Sequence, residues 1–289
     1  MGIKTEKYMP FLLVLPALIM VFGLTLYPLF HALYYSTRDT DLTSPIPDTF
    51  IGINNYRKML NFDPTLSDAY VRSLTFTAGC LALQIPLGLG IALLLNRPIR
   101  GHRIFRAIFA LPLVVAPIAI GQIWRMMYHY EFGIIKYLVS SVFGTSPNWT
   151  ADPNWAMVSI IIYDTWQWTP FVALILLAGL QGLLPEPYES ATIYGASAIQ
   201  KFRYITLPKM RPLIGLAAIF RMIDTLKTWD PIWAITWGGP GQATETLSYY
   251  LYRIGFRYFW VGYASAVSLV FLYIVIVIST VALKKGAKL

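Results

Sequence analysis

Apolar residues run along this chain in long unbroken blocks instead of alternating or recurring every third or fourth position. No Lys, Arg, Asp or Glu lies between Lys7 and Arg38, between Arg72 and Arg97, between Arg106 and Arg125, or between Arg257 and Lys284. About 20 apolar residues in a helix cross about 30 Å of hydrocarbon, so each window is long enough to span a bilayer. A fifth apolar stretch carries Asp164 alone, and a sixth carries Arg221, Asp224, Lys227 and Asp230. The pattern predicts an all-α membrane protein with six transmembrane helices, at residues 9–36, 72–96, 104–127, 155–181, 212–237 and 259–283, forming one transmembrane domain over 1–289. The first window is too long for a signal-peptide core and is followed by Arg38 and Asp39, which predicts a retained helix.

Composition agrees: 56% of residues are hydrophobic and 13% charged, against about 25% charged in soluble domains. The net charge of +9 could reflect nucleic acid or membrane sidedness, and its distribution decides. The two termini and the loops after the second and fourth spans sum to +10, whereas the loops after the first, third and fifth sum to −2. Lys and Arg concentrate in short cytoplasmic loops, so both termini are expected inside and residues 39–70 outside, with no nucleic-acid partner. The single Cys80 and the scattered His31, His102 and His129 offer no disulfide and no metal site, and no phosphate-cradling glycine loop is present. The chain cannot hydrolyse ATP by itself.

Charges inside hydrocarbon cost at least about 2.5 to 3.5 kcal/mol each on insertion scales, so those of the fourth and fifth spans must face an interior. Arg221, Asp224, Lys227 and Asp230 recur every third residue and could form a ladder of alternating sign. Counting depth from Trp155 and Trp237 at about 1.5 Å per residue also allows an Asp164–Lys227 pair. Trp166, Gln167, Trp168, Trp229 and Trp233 lie near the same depth. Aromatic faces pack on C–H surfaces while amides and carboxylates bind hydroxyls, so these residues make a candidate solute pathway. Trp149, Trp155, Trp237 and Trp260 are expected at the membrane interface, and Gln84 and Gln122 as hydrogen-bonding links between helices.

The loop over 184–211 is polar yet ordered in pattern. Glu186–Ile193 and Ser197–Ile205 lack internal Gly and Pro, Gly195 supplies a bend with φ > 0, and Pro208 is expected to stop the second helix at Leu207. Ala191, Ala196, Phe202, Ile205 and Leu207 are too few to insert in lipid and should pack on protein. Glu189, in a first turn, also suits the positive end of a helix dipole.

The run Glu189-Ser190-Ala191, Gly195-Ala196, Phe202, Ile205-Thr206-Leu207-Pro208 and Pro212 resembles the EAA signature of permease subunits of binding-protein-dependent ABC importers. Ser190 and Tyr194 depart from it. Phe50-Ile-Gly-Ile-Asn-Asn-Tyr56, Trp166-Gln-Trp-Thr-Pro-Phe171, Gly238-Gly-Pro-Gly241, Ala243-Thr-Glu-Thr-Leu247 and Gly262-Tyr-Ala-Ser-Ala266 are similar to its carbohydrate branch, the maltose and glycerol-3-phosphate permease type. The resemblance implies a type I importer permease fold in a bacterial or archaeal cytoplasmic membrane. It implies that Glu189, Ala191, Gly195, Ala196, Phe202, Leu207 and Pro208 couple the chain to an ATPase. The implied partners are a second permease, two ATPase subunits holding ATP and Mg, and an extracytoplasmic solute-binding protein, with no cofactor in this chain. The solute would be a carbohydrate or similar polar molecule, and Arg221 and Lys227 lean towards an anionic one. An ion-coupled secondary transporter working through its buried Asp residues is the alternative, but six spans show no inverted repeat and that reading has no use for the loop.

Overall fold

A computed structural model describes residues 3–61, 63–97 and 101–286; the predicted loop charge Arg100 lies outside them. The chain is helical apart from one small hairpin: α1 (Ile3–Ser36), β1 (Arg38–Asp39), β2 (Thr49–Phe50), α2 (Asn54–Asn61), α3 (Pro64–Leu95), α4 (His102–Val114), α5 (Pro117–Met127), α6 (Ile134–Phe143), α7 (Pro153–Gln181), α8 (Glu186–Ile193), α9 (Ala198–Lys201), α10 (Leu207–Lys227), α11 (Leu247–Tyr252) and α12 (Val261–Gly286). Among the described residues four helical stretches are long and apolar enough to cross a bilayer: Phe11–Ser36, Pro64–Leu95, Pro153–Gln181 and Val261–Lys284.

The two remaining predicted spans are not straight helices. Over 104–127 the chain forms α4 and α5, bent by 94° at their junction. Pro117 disfavours helix at the residue before it, and Val115 and Ala116 are extended with ψ of 139° and 127°. Over 212–237, α10 ends at Lys227, Thr228 is extended with ψ 127°, and a π-helical turn follows at Ile232–Thr236. Thr228 Oγ1 donates to the Asp224 carbonyl at 3.0 Å, competing for a helix acceptor, and the ring of Pro231 would clash with the Lys227 carbonyl in a continuous helix.

Contacts divide the chain into two compact units, one of Met1–Pro64 with Leu251–Ile274 and one of Thr65–Tyr250 with Val275–Leu289. In the first, β1 and β2 pair antiparallel with Arg38 opposite Phe50. Asn55, buried, donates to the carbonyls of Ser36 and Arg38, each at 2.9 Å, and the Tyr56 hydroxyl donates to Ser36 Oγ at 2.9 Å. These bonds explain the Asn55-Tyr56 end of the motif at 50–56: they tie the end of α1 to the hairpin. Gly262 donates to the Thr40 carbonyl at 3.0 Å, and a Cβ there would collide with the Arg38 carbonyl oxygen.

In the second unit α7 is the central helix, packed against α4 and α10, and 61% of its apolar stretch is buried. Val172, Leu176, Leu177 and Leu180 meet Ala92, Met210 and Ala217 in one core. Gly88 of α3 lets this wall close, because a Cβ there would lie 2.6 Å from Val172 Cγ1. In a bilayer, where lipid is as apolar as Leu, close packing through small residues replaces much of the hydrophobic drive. Trp149, expected at the interface, is instead buried in a second core with Tyr128 and Tyr163 and stacks on Tyr128 at 5.5 Å.

Candidate functional site

The charged residues of α7 and α10 meet inside the second unit. Arg221 Nη2 donates to Asp164 Oδ2 at 2.6 Å, with both side chains 1% exposed, and Arg221 Nη1 pairs with Asp224. Gln84 of α3 closes the cluster. Its Nε2 donates to Asp164 Oδ2 at 2.6 Å, and its Oε1 accepts from Arg221 Nε at 2.8 Å. The Arg221 guanidinium also lies over the Trp168 ring, 4.8 Å from its centroid. An ion pair this deep is tolerated because each of the three guanidinium nitrogens has an acceptor. The ladder of alternating sign is therefore real for Arg221 and Asp224, whereas the Asp164–Lys227 pair is replaced by Asp164–Arg221.

Beside the cluster is a cavity of about 130 Å³ lined by Pro117, Tyr163, Asp164, Gln167, Trp168, Asp224, Lys227, Thr228, Asp230 and Pro231. Asp164, Gln167 and Trp168 come from α7, where spacings of three and four share a face. Asp164 Oδ1 and Gln167 Oε1 are buried and have no hydrogen-bond partner among the described residues. Arg221 stands behind the wall, holding Asp164. Besides Arg221, three residues of the sequence-derived set are not in the lining. Trp166, two positions from Asp164 and so on the opposite side of α7, packs on Trp124 at 5.6 Å and lines an apolar groove with Phe109, Pro112 and Pro170. Trp229 and Trp233 stack at 5.6 Å, and Trp237 continues the stack at 5.7 Å. Gln84 is the hydrogen-bonding link between helices that the sequence suggests, whereas the sequence does not single out Tyr163 and Pro117. Gln84 alone carried a signal, being a lone amide in an apolar window.

The loop over 184–211 presents a different surface. α8 occupies its predicted bounds and carries Glu186 and Glu189 in its first turn. Gly195 has φ 76°, and the Ala196 N–H bonds the Ala191 carbonyl at 2.8 Å, closing the turn. Ser197 and Gln200 form a reciprocal capping box at the start of α9. Pro208 does not end the helix as expected. The chain widens into a π-helical turn at Phe202–Thr206, with the Leu207 N–H reaching the Phe202 carbonyl, and α10 follows directly. The wider turn moves carbonyls away from the proline ring, whose missing N–H falls at the new helix start. Phe202, Leu207 and Pro208 line a groove of about 650 Å³ with Ile199, Arg203, Tyr204 and Arg211. The large apolar residues left in the open are ones the spacing did not single out: Ile193, Tyr194, Ile199 and Tyr204 are 84%, 87%, 78% and 71% exposed.

The polar cluster lies inside the second unit of a helical protein with several bilayer-length helices, and among the described residues no group of His, Cys, Asp and Glu is placed to hold a metal. The chain belongs to the family described as binding-protein-dependent transport system inner membrane component, which matches residues 84–287. It is similar to the trehalose/maltose transport system permease protein of Thermococcus litoralis, 35% identical over 285 residues that cover 97% of this chain and 94% of that one. It is also similar to a probable ABC transporter permease protein of Sinorhizobium fredii, 38% identical over 253 residues covering 87% and 81%. In fold it resembles a chain of a bacterial ABC transporter involved in import of the acidic polysaccharide alginate, with TM-score 0.84 at 18% identity, covering 99% of this chain and 98% of that one. The fold is thus the all-helical permease fold of type I ABC importers. Family membership leaves the ion-coupled alternative without support.

Proposed function

We propose that this chain is one of two permease subunits in an ATP-driven importer that carries a carbohydrate or related polar solute into the cytoplasm. It crosses the membrane six times, counting the bent pair α4–α5 and the broken segment 212–237 as one span each, with both termini inside. A second permease, two ATPase subunits and an extracytoplasmic solute-binding protein complete the assembly. ATP and Mg bind the ATPase partners, and this chain needs no cofactor. Asp164, Gln167, Trp168, Asp224, Lys227 and Asp230 line the solute path, and Arg221 positions Asp164.

The observation that carries this reading is the exposed row of Ile193, Tyr194, Ile199 and Tyr204 along the end of α8, the capped helix α9 and the π-helical turn after it. Such residues on a polar loop need a protein partner to cover them. The loop is also joined to the path by one rigid element. α10 starts at Leu207, directly after the loop, and its last turns carry Arg221, Asp224 and Lys227. Its 21 residues make a rod roughly 31 Å long at about 1.5 Å per residue. A push on the loop therefore reaches the cavity wall without passing through a flexible link.

The test is ATP-dependent uptake in proteoliposomes holding the full complex. Gly195→Val, which forces a β-branched residue to a φ of 76°, and Glu189→Lys should abolish solute-stimulated ATPase activity while solute-binding-protein docking persists. Normal coupling in both variants would remove the loop from the mechanism, and uptake driven by an ion gradient without ATP would overturn the reading.

A further inference from the structure

The connection between α5 and α7, which its charge puts outside the membrane, holds a helix whose surface is not that of a water-facing loop. In α6, Ile135 and Val139 stand four residues apart and pack against the core of Tyr128, Trp149 and Tyr163. The opposite side carries Ile134, Tyr137, Leu138 and Ser141, at spacings of three, four and seven. Ile134, Tyr137 and Leu138 are exposed, as are Val142 and Phe143 at the end of the helix. No charged residue stands on that side.

A helix face in water normally carries charge, and a protein interface carries about one hydrogen bond per 100 to 200 Å². The outward face of α6 offers neither. Its two hydroxyls turn back on the helix: Ser140 Oγ donates to the Tyr137 carbonyl at 3.1 Å and Ser141 Oγ to the Leu138 carbonyl at 2.8 Å. Serine is accommodated in this way against hydrocarbon, where no water replaces a missing partner. Lys136, the one ionisable residue of the helix, lies on the flank with Nζ 4.4 Å from the centre of the Tyr130 ring. A cation and a tyrosine at the edge of an apolar face match the headgroup level of a bilayer, where phosphates supply the counter-charge. The apolar surface is also continuous with that of α5, which α6 contacts and which exposes Ile123 and Met126. By contrast, the exposed row on the 184–211 loop is interrupted by Lys201 and Arg203.

Length sets the orientation. The ten residues of α6 reach roughly 15 Å at about 1.5 Å each, half of the hydrocarbon thickness. A helix ending in mid-bilayer would leave terminal N–H and C=O groups without partners, whereas one lying in the membrane plane keeps both ends, at Gly133 and Gly144, at headgroup depth. We infer that α6 is an interfacial helix that binds phospholipid, with Ile134, Tyr137, Leu138 and Val142 set among acyl chains and Lys136 level with the phosphates. In the topology proposed above this is the outer surface of the membrane. The segment is then a lipid-backed wall for the core of Tyr128 and Trp149, closed to soluble partners.

The experiment is site-specific photocrosslinking in the complete complex, with the solute-binding protein present, in vesicles of equal phosphatidylglycerol and phosphatidylcholine. p-Benzoylphenylalanine replaces Tyr137, Leu138 or Ile135, one at a time, and adducts are identified by mass spectrometry. Positions 137 and 138 should give a phospholipid adduct severalfold more abundant than position 135, which faces the core. Crosslinking of 137 and 138 to the second permease or to the solute-binding protein would overturn the inference and make this face a protein interface; the absence of any adduct at both would overturn it as a water-facing surface. Phosphatidylglycerol should be enriched in the adduct at 138 over its share of the vesicle, and Lys136→Gln should remove the enrichment. An adduct composition unchanged in Lys136→Gln would overturn the placement of Lys136 at the phosphates. The same probe at Tyr194 reports on the ATPase contact alone, so failure of the importer reading is seen there and not at α6.

Discussion

Removing Arg221 should unsettle the whole second unit, by an amount that can be worked from its partners. The side chain is 1% exposed and bonds Asp164, itself 1% exposed, along with Gln84 and Asp224. Arg221→Met leaves the Asp164 carboxylate buried with only Gln84 and the Cys80 thiol as side-chain partners and strands Gln84 Oε1. Breaking a buried pair on one side costs about 3 to 5 kcal/mol. At roughly 2 to 4 °C per kcal/mol for chains of comparable size, the melting temperature of the purified complex should fall by roughly 6 to 20 °C. Asp164→Leu should also destabilise, because it leaves Arg221 Nη2 buried without its acceptor while Gln84 and Asp224 still hold Nε and Nη1. The triple replacement Gln84→Leu, Asp164→Leu, Arg221→Met removes all three buried polar groups together and fills their place with apolar volume. It should therefore cost less than either single change, with Asp224 free to take up water at its 43% exposed side chain. The assay is thermal unfolding in detergent followed by size-exclusion chromatography of the remaining complex. A triple variant that loses the sum of the single effects would show that the cluster is not a cooperative unit, and the account of how its charges are tolerated would fail.

Two further outcomes follow from the same geometry. Gly262→Ala places a Cβ against the Arg38 carbonyl oxygen, which should cost about 1 to 3 kcal/mol of overpacking and open the segment after β2 to trypsin at Arg57 and Lys58; an unchanged cleavage rate would refute the contact. Single cysteines at Asp48 and at Tyr194, with native Cys80 buried and unreactive, should label from opposite faces of the membrane, whereas labelling from one face would mean that the pair bent at 115–116 turns back without crossing.

How much of this was legible in the sequence depends on which local rule governed each segment. Long uncharged windows located α1, α3 and α12, and a stretch broken by Asp164 alone located α7, because length and apolarity favour a spanning helix; the uncharged window over 107–124 instead became the bent pair α4–α5. The bounds of α8 and the bend at Gly195 were legible because glycine and the capping residues act within one turn. The partner of Asp164 was not legible, and the reason is specific. The depth argument that paired it with Lys227 counted back from Trp237 as though 212–237 were one straight helix, but the count crosses an extended Thr228 and a π-helical turn at Ile232–Thr236. Each changes both rise and rotation, so the register beyond Lys227 carries no information about depth within α10. Counted within α10 alone, Arg221 and Asp224 share a face at a spacing of three, and Arg221 is the residue placed to reach Asp164 on α7.

The same kind of error governed Pro208, and it bears on how the loop works. A proline normally ends a helix, so the expectation was a hairpin detached from the following span. The π-helical turn at Phe202–Thr206 absorbs the proline and makes the second half of the loop continuous with α10. Had the helix stopped at Leu207, a free joint would separate the exposed Ile199 and Tyr204 from Arg221, and motion of the loop would dissipate there. The proline that reads as a stop in the sequence thus sits inside a continuous helical run, and the wide turn before it is what joins the exposed Ile199 and Tyr204 to the helix that carries Arg221, Asp224 and Lys227.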